Sequence, residues 1–167
     1  MPSDVPPITP ADYRALAAFR YEIRRFLAFS EQAARSVGIE PQQHQLLLAV
    51  QGLPLEQQPT IGAIAERLCV KHHTTVALVD KLEARGLIVR ERGALDRRTV
   101  LLRLAPAGTE LLRELSERHK AHLHTVGPHM LAALGAILGE LERGKPPPQQ
   151  SRARAKPARA KRRAQAR

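Results

Sequence analysis

With 167 residues, the chain is long enough for one well-cored domain and too short for two ordinary ones. Hydrophobic residues make up 43% but aromatics only 3%, so a core would be built from Leu, Ala, Ile and Val. Such a core favours packed helices over a β-sandwich. The net charge of +11 is unevenly placed: residues 145–167 hold nine basic residues and no acid, and the stretch from Arg67 to Arg103 holds nine against four. The remainder is slightly acidic, with nine basic and twelve acidic residues. An acidic body with two basic regions points to a polyanionic partner, nucleic acid foremost. Cys69 is the lone cysteine, which excludes an intrachain disulfide and fits a reducing cytoplasm. The first residues, MPSDVPPITPADY, lack a charged n-region and an apolar h-region, and no apolar run approaches the ~20 residues of a membrane span. A cytoplasmic protein with no membrane partner is expected.

Residues 1–10 read as an extended, proline-rich lead-in. Thr9-Pro10 followed by Asp12 marks a helix start. Leu16, Phe19, Ile23, Phe26, Leu27, Ser30, Ala33, Ala34 and Val37 then recur at helical spacing, up to a left-handed cap at Gly38. A second helix is expected from Pro41 to about Gln51, with Leu46, Leu47, Leu48 and Val50 mostly buried and Gly52 and Pro54 ending it. Thr60 supplies a capping hydroxyl for a short helix, Ile61 to Leu68, with a tight inner face. A break at Cys69-Val70-Lys71 precedes a helix from His72 to Arg85, closed by Gly86, whose buried face is Thr75 or Val76, Val79, Leu82 and then Leu87. Two short helices joined by so brief a turn form a helix-turn-helix.

Leu87 to Arg92 and Thr99 to Leu104 read as two strands joined by a turn at Gly93-Ala94-Leu95-Asp96, a hairpin with basic residues near its tip. A helix is expected from about Pro106 to Val126, stopped by Gly127-Pro128, and another from about His129 to Arg143 with Met130, Leu131, Leu134, Ile137, Leu138 and Leu141 in coiled-coil-like spacing. The rest, 145–167, is low-complexity and reads as a disordered basic tail. The expected organisation is the lead-in 1–10, a single domain 11–144 and the tail. Within the domain, the DNA-binding lobe is about 41–104 and the flanking helices about 11–37 and 106–143.

Helix, turn, helix and basic hairpin have a joint logic. The second helix fits the major groove, and the hairpin reaches along the backbone toward the minor groove. The exposed side of that helix offers Lys71, His72, His73, Thr74, Ala77 and Lys81. Imidazoles and hydroxyls bond base edges or phosphates, whereas Lys81 mainly neutralises phosphate. Arg90, Arg92, Arg97 and Arg98 cluster in the hairpin, and an arginine gains from the potential of a narrow A·T minor groove.

The run AERLCVKHHTTVALVDKLEARGLIVRERGALDRRTVLLRLAPAG, Ala65 to Gly108, resembles the DNA-binding domain of the MarR family of regulators. The matching features are Leu68 and Val70 before the recognition helix, LVDKLEARGL from Leu78 to Leu87, Asp96-Arg97-Arg98 in the wing, and Gly108. The resemblance is sequence-specific over roughly 60–108 and extends in helix order over 12–143. It implies a mainly α fold with a small β-hairpin wing, a winged helix-turn-helix with N- and C-terminal dimerisation helices. It also implies a homodimer whose first and last helices interlock over a pseudo-palindromic site, and more often a repressor. In the family the second arginine of Asp-x-Arg enters the minor groove, oriented by the aspartate; here these are Arg98 and Asp96. Lys71 stands where a capping Ser is usual, and Ala105 where a Thr is common. The expected DNA-binding set is Thr60, Lys71, His72, His73, Thr74, Lys81, Arg92, Arg97 and Arg98, with Asp96 orienting the wing.

Other chemistry has less support. Cys69, in the turn of the helix pair, is expected to be a small buried residue and not a redox sensor. His119 and His122 share a helix face near Glu117, His124 and His129, but no HExxH motif or cysteine partner accompanies them, so no metal and no other cofactor is expected. The resemblance also implies a small aromatic or phenolic effector, for which Arg24 and His44 are candidate lining groups. No nucleophile–base pair, phosphate-cradling loop or paired carboxylates suggest an enzyme. An architectural, largely non-specific DNA binder driven by the tail is the alternative function.

Overall fold

A computed structural model describes residues 7–93 and 99–143, with side chains through 139. The wing tip, 94–98, the tail and the first six residues lie outside the described residues. Five helices and one hairpin follow in the order α1 (Pro10–Ser36), α2 (Pro41–Gln51), α3 (Ile61–Leu68), α4 (His72–Ala84), β1 (Ile88–Arg92), β2 (Val100–Leu104) and α5 (Pro106–Arg143). The fold is a mainly α winged helix-turn-helix with a small hairpin.

Local chemistry sets most boundaries. Thr9 caps α1 through the Asp12 amide, and the Asp12 carboxylate accepts from the Thr9 amide at 2.7 Å, a reciprocal box. Gln43, itself buried, accepts from the Glu40 amide at 2.9 Å and opens α2 in the same manner. Thr60 accepts from the Ala63 amide and opens α3. Helices α1, α3 and α4 end alike: a left-handed residue is followed by a residue whose amide bonds back five positions. The left-handed residues are Gly38, Cys69 and Gly86, and the amides are those of Ile39, Val70 and Leu87. Cys69 is thus the non-glycine at a cap that favours glycine, and it is exposed instead of buried.

The core gathers Ala34, Ile39, Leu46, Leu47, Ile64, Val79, Leu82, Ile88, Leu102 and Leu115, so every element contributes to it. Thr75, not Val76, fills the inner side of α4, its hydroxyl turned back to the Lys71 carbonyl. In α2 the inward residue is Ala49, while Leu48 is 50% exposed, contrary to its expected burial. Leu46 and Leu47 already occupy the inward face, and Leu48 is turned another 100° away from it.

The strands pair antiparallel, Ile88 with Leu104 through Arg92 with Val100, and Gly93 closes the described part of the hairpin by donating to the Thr99 carbonyl. Thr60 bridges Leu101, and Leu102 donates to Pro59 at 2.8 Å, so the lead into α3 forms a third edge. Gly108 brings α5 against this sheet: a Cβ there would stand 2.0 Å from the Leu87 carbonyl oxygen.

The expected break at Gly127-Pro128 is absent; α5 runs through it for 38 residues. Proline's ring normally clashes with the Cβ of the residue before it, which drives that residue out of the helical region. Gly127 has no Cβ, so the helix passes.

Candidate nucleic-acid interface

The inner residues of α4 are Thr75, Leu78, Val79 and Leu82. With 100° per residue, the opposite stripe holds His73, Ala77 and Asp80. His72 lies on the flank nearest the hairpin and Thr74 on the other. Lys71 is the residue before the helix; its side chain makes no capping bond, so the first amides of α4 are left to solvent or a ligand. Lys71, His72, His73 and Arg92 are exposed, and among the described residues none is held by an ion pair or a side-chain hydrogen bond. The first three stand at the start of α4, and Arg92 at the outer end of β1.

The structure separates other members of the expected set. Lys81 borders a groove with Glu31, Arg35 and Glu40, on the flank of α4 that faces α1 and α2. The Thr60 hydroxyl serves as the α3 cap. Arg90, grouped from sequence with the hairpin's basic cluster, instead bridges Asp80 and Glu83 of α4. Arg103 is paired with Glu91 across the hairpin. Asp96, Arg97 and Arg98 lie outside the described residues. Sequence reasoning misses the Arg90 bridge, although a signal for it exists: two acids three apart on the helix, followed by an arginine early in the strand.

A second cluster joins the long helices to the lobe. His119 of α5 donates from Nδ1 to the Leu115 carbonyl at 2.6 Å, and its Nε2 meets the Ser30 hydroxyl of α1 at 2.9 Å. Its ring lies 4.8 Å from that of His44 in α2, and His122 stacks on Phe29 at 3.8 Å. His44 Nδ1 and His122 Nε2 are buried without a hydrogen-bond partner among the described residues. Burial, with the neighbouring His119 second, lowers the His44 pKa from 6.5 to about 4. A cavity of about 460 Å³ opens here, bounded by Phe26, His44, Leu48, His119, Lys120 and Leu123. Arg24 is exposed and does not line this cavity. His119 and His122 are engaged with α1 side chains and do not converge as metal ligands; no group of three metal-binding side chains occurs among the described residues. No helix among them is long and apolar enough to cross a membrane.

Residues 37–99, from the C-cap of α1 to the residue before β2, match the model of the MarR family. Over this stretch the chain is similar to the MarR family. Over 98 residues it is 29% identical to a protein described as a transcriptional regulator of the hcr operon of Thauera aromatica, covering 59% of this chain and 57% of that one. The chain thus spans a little over half the length of that curated relative. Among solved structures, a MepR variant of S. aureus bound to an oligodeoxyribonucleotide shares the fold, with TM-score 0.58, 22% identity and coverage of 81% of this chain and 99% of that one. CouR of Rhodococcus jostii, bound to p-coumaroyl-CoA, is similar at TM-score 0.54 and 24% identity, over 68% and 83% of the two chains. The MarR family and fold are those of transcription regulators, not of enzymes.

Proposed function

We propose that this chain, similar to the MarR family over residues 37–99, is a sequence-specific regulator of transcription, a homodimeric repressor that occupies a pseudo-palindromic operator in duplex DNA. The observation that carries the reading is that Lys71, His72 and His73 at the start of α4 and Arg92 at the outer end of β1 are exposed and unclaimed by other side chains among the described residues. In this reading His72, His73 and Thr74 face base edges and Lys71 and Arg92 approach phosphates, while Thr60 contributes as the α3 cap and Lys81 lies aside at the α1–α2 groove. Arg97 and Arg98, with Asp96 orienting, extend the wing to the minor groove.

Exposed apolar residues support the dimer. Leu16 and Leu27 on α1, and Leu131 and Leu138 on α5, are 41–71% exposed in the single chain. Burying such stripes on a second copy removes that area from water. The cavity beside His44 supports a small aromatic or phenolic effector that releases the operator, since it lies where α1 and α5 meet the lobe.

The basic segment 145–167 favours a second reading, an architectural protein that binds DNA of any sequence. Fluorescence anisotropy decides between them. The full chain and a 1–144 form are titrated with the protein's own upstream duplex and a scrambled one, across a salt series. A preference of about a thousand-fold or more for the upstream duplex, retained in the 1–144 form, is expected. Near-equal binding to both duplexes replaces the repressor reading with the architectural one.

A further inference from the structure

Asp80 stands on the outward stripe of α4 with His73 and Ala77, where a bare carboxylate would oppose a polyanion. Glu83 follows three residues later, on the flank toward β1. Arg90 reaches both from the strand: Nη2 donates to Asp80 Oδ1 at 2.5 Å, and Nη1 donates to Glu83. Its side chain is 27% exposed, against 58% and 39% for the two acids, so the guanidinium is the shielded partner. Such two-acid engagement takes one donor from each terminal nitrogen and sets two carboxylates where a phosphate would otherwise approach the guanidinium.

The place of this bridge matters more than its charge. Ile88 and Leu102 anchor the hairpin's base in the core, whereas Arg92 and Val100, toward the tip, are exposed. A two-stranded ribbon has little stiffness of its own, so its direction is set by what holds it near the base. Arg90 lies two residues beyond Ile88, at the last rung before the strand leaves the core. We propose that Arg90 is a positioning residue, which, held by Asp80 and Glu83, fixes the direction of the wing relative to the recognition helix and makes no phosphate contact. The inference rests on the DNA-binding reading above only for its consequence in binding; the clamp itself is a property of the free protein.

Two full-length variants break the bridge from opposite sides: Arg90→Gln, and Asp80→Asn with Glu83→Gln. Hydrogen exchange is followed in DNA-free protein, and anisotropy with the upstream and scrambled duplexes. Each variant should speed amide exchange over 88–104 by about tenfold and cut the preference for the upstream duplex by about tenfold. The triple variant should be no worse than either, because all remove one interaction. A different pattern overturns the clamp: Arg90→Gln alone flattens the salt dependence, and the variant without the two acids binds both duplexes more tightly with its preference intact. Unchanged exchange in both variants overturns it as well. If the parent itself shows no preference between duplexes, the specific DNA reading fails, and the exchange data still decide the clamp.

Discussion

His73 is the residue of α4 farthest from the core that carries a hydrogen-bonding ring, and nothing among the described residues holds it. A ring placed to read a base edge gives discrimination of about 1–3 kcal/mol, so His73→Ala should relax base preference by that much while leaving binding to a scrambled duplex unchanged. Competition titrations with single-base operator variants would measure it. Arg98→Ala should act differently, weakening binding to every duplex and lowering the salt slope by about 0.9, the share of one neutralised phosphate. An unaltered affinity and slope would remove the wing from the mechanism. Gly108 concerns stability: Ala at this position puts a methyl 2.0 Å from a backbone oxygen that also accepts from the Ala105 amide. Neither backbone moves freely, and Gly108→Ala should cost about 3 kcal/mol in urea unfolding.

At the level of elements, sequence and structure agree where the signal is local. The Thr9–Asp12 box, the Thr60 cap and the glycines at 38 and 86 place helix ends within a residue or so of the observed ones. They disagree where two local rules compete. Gly127 and Pro128 each signal a stop, yet the glycine removes the Cβ whose clash with the proline ring would have made one. The helix still lacks the amide that Pro128 cannot supply to the His124 carbonyl. Pro128→Ala should therefore stabilise the protein by about 2 kcal/mol, read as a higher urea midpoint with helical ellipticity maintained or increased. A neutral or destabilising outcome would mean that α5 is interrupted at this point in solution.

For the whole molecule, His44, packed against His119 where α1, α2 and α5 meet, couples pH to stability. His44 is held neutral in the folded protein, its pKa lowered from 6.5 to about 4 by burial and then by His119. The unfolded chain binds a proton at higher pH than the folded one. Stability from this group is complete above about pH 6.5, falls as the pH drops toward 4, and falls no further below it. The loss amounts to at most about 3 kcal/mol. Urea melts at pH 7.5 and 4.5 should show it, and His44→Gln should remove most of the difference between them.

The sequence by itself determined the order of elements, the positions of their caps and the resemblance carried by the recognition helix and wing. Each of these depends on neighbours a few residues apart, through capping hydroxyls, left-handed glycines and periods of two or 3.6. It also located the exposed imidazoles of α4, because the inner face of a short amphipathic helix defines the outer one. Only the tertiary structure decided that Arg90 faces α4, that Lys81 faces the α1–α2 groove, and that His44 lies buried against His119. A charged or imidazole side chain has the same local pattern whether it meets solvent, DNA or an acid brought in from another element. Its partner is chosen by packing between segments far apart in the chain, for which single-residue periodicity holds no record.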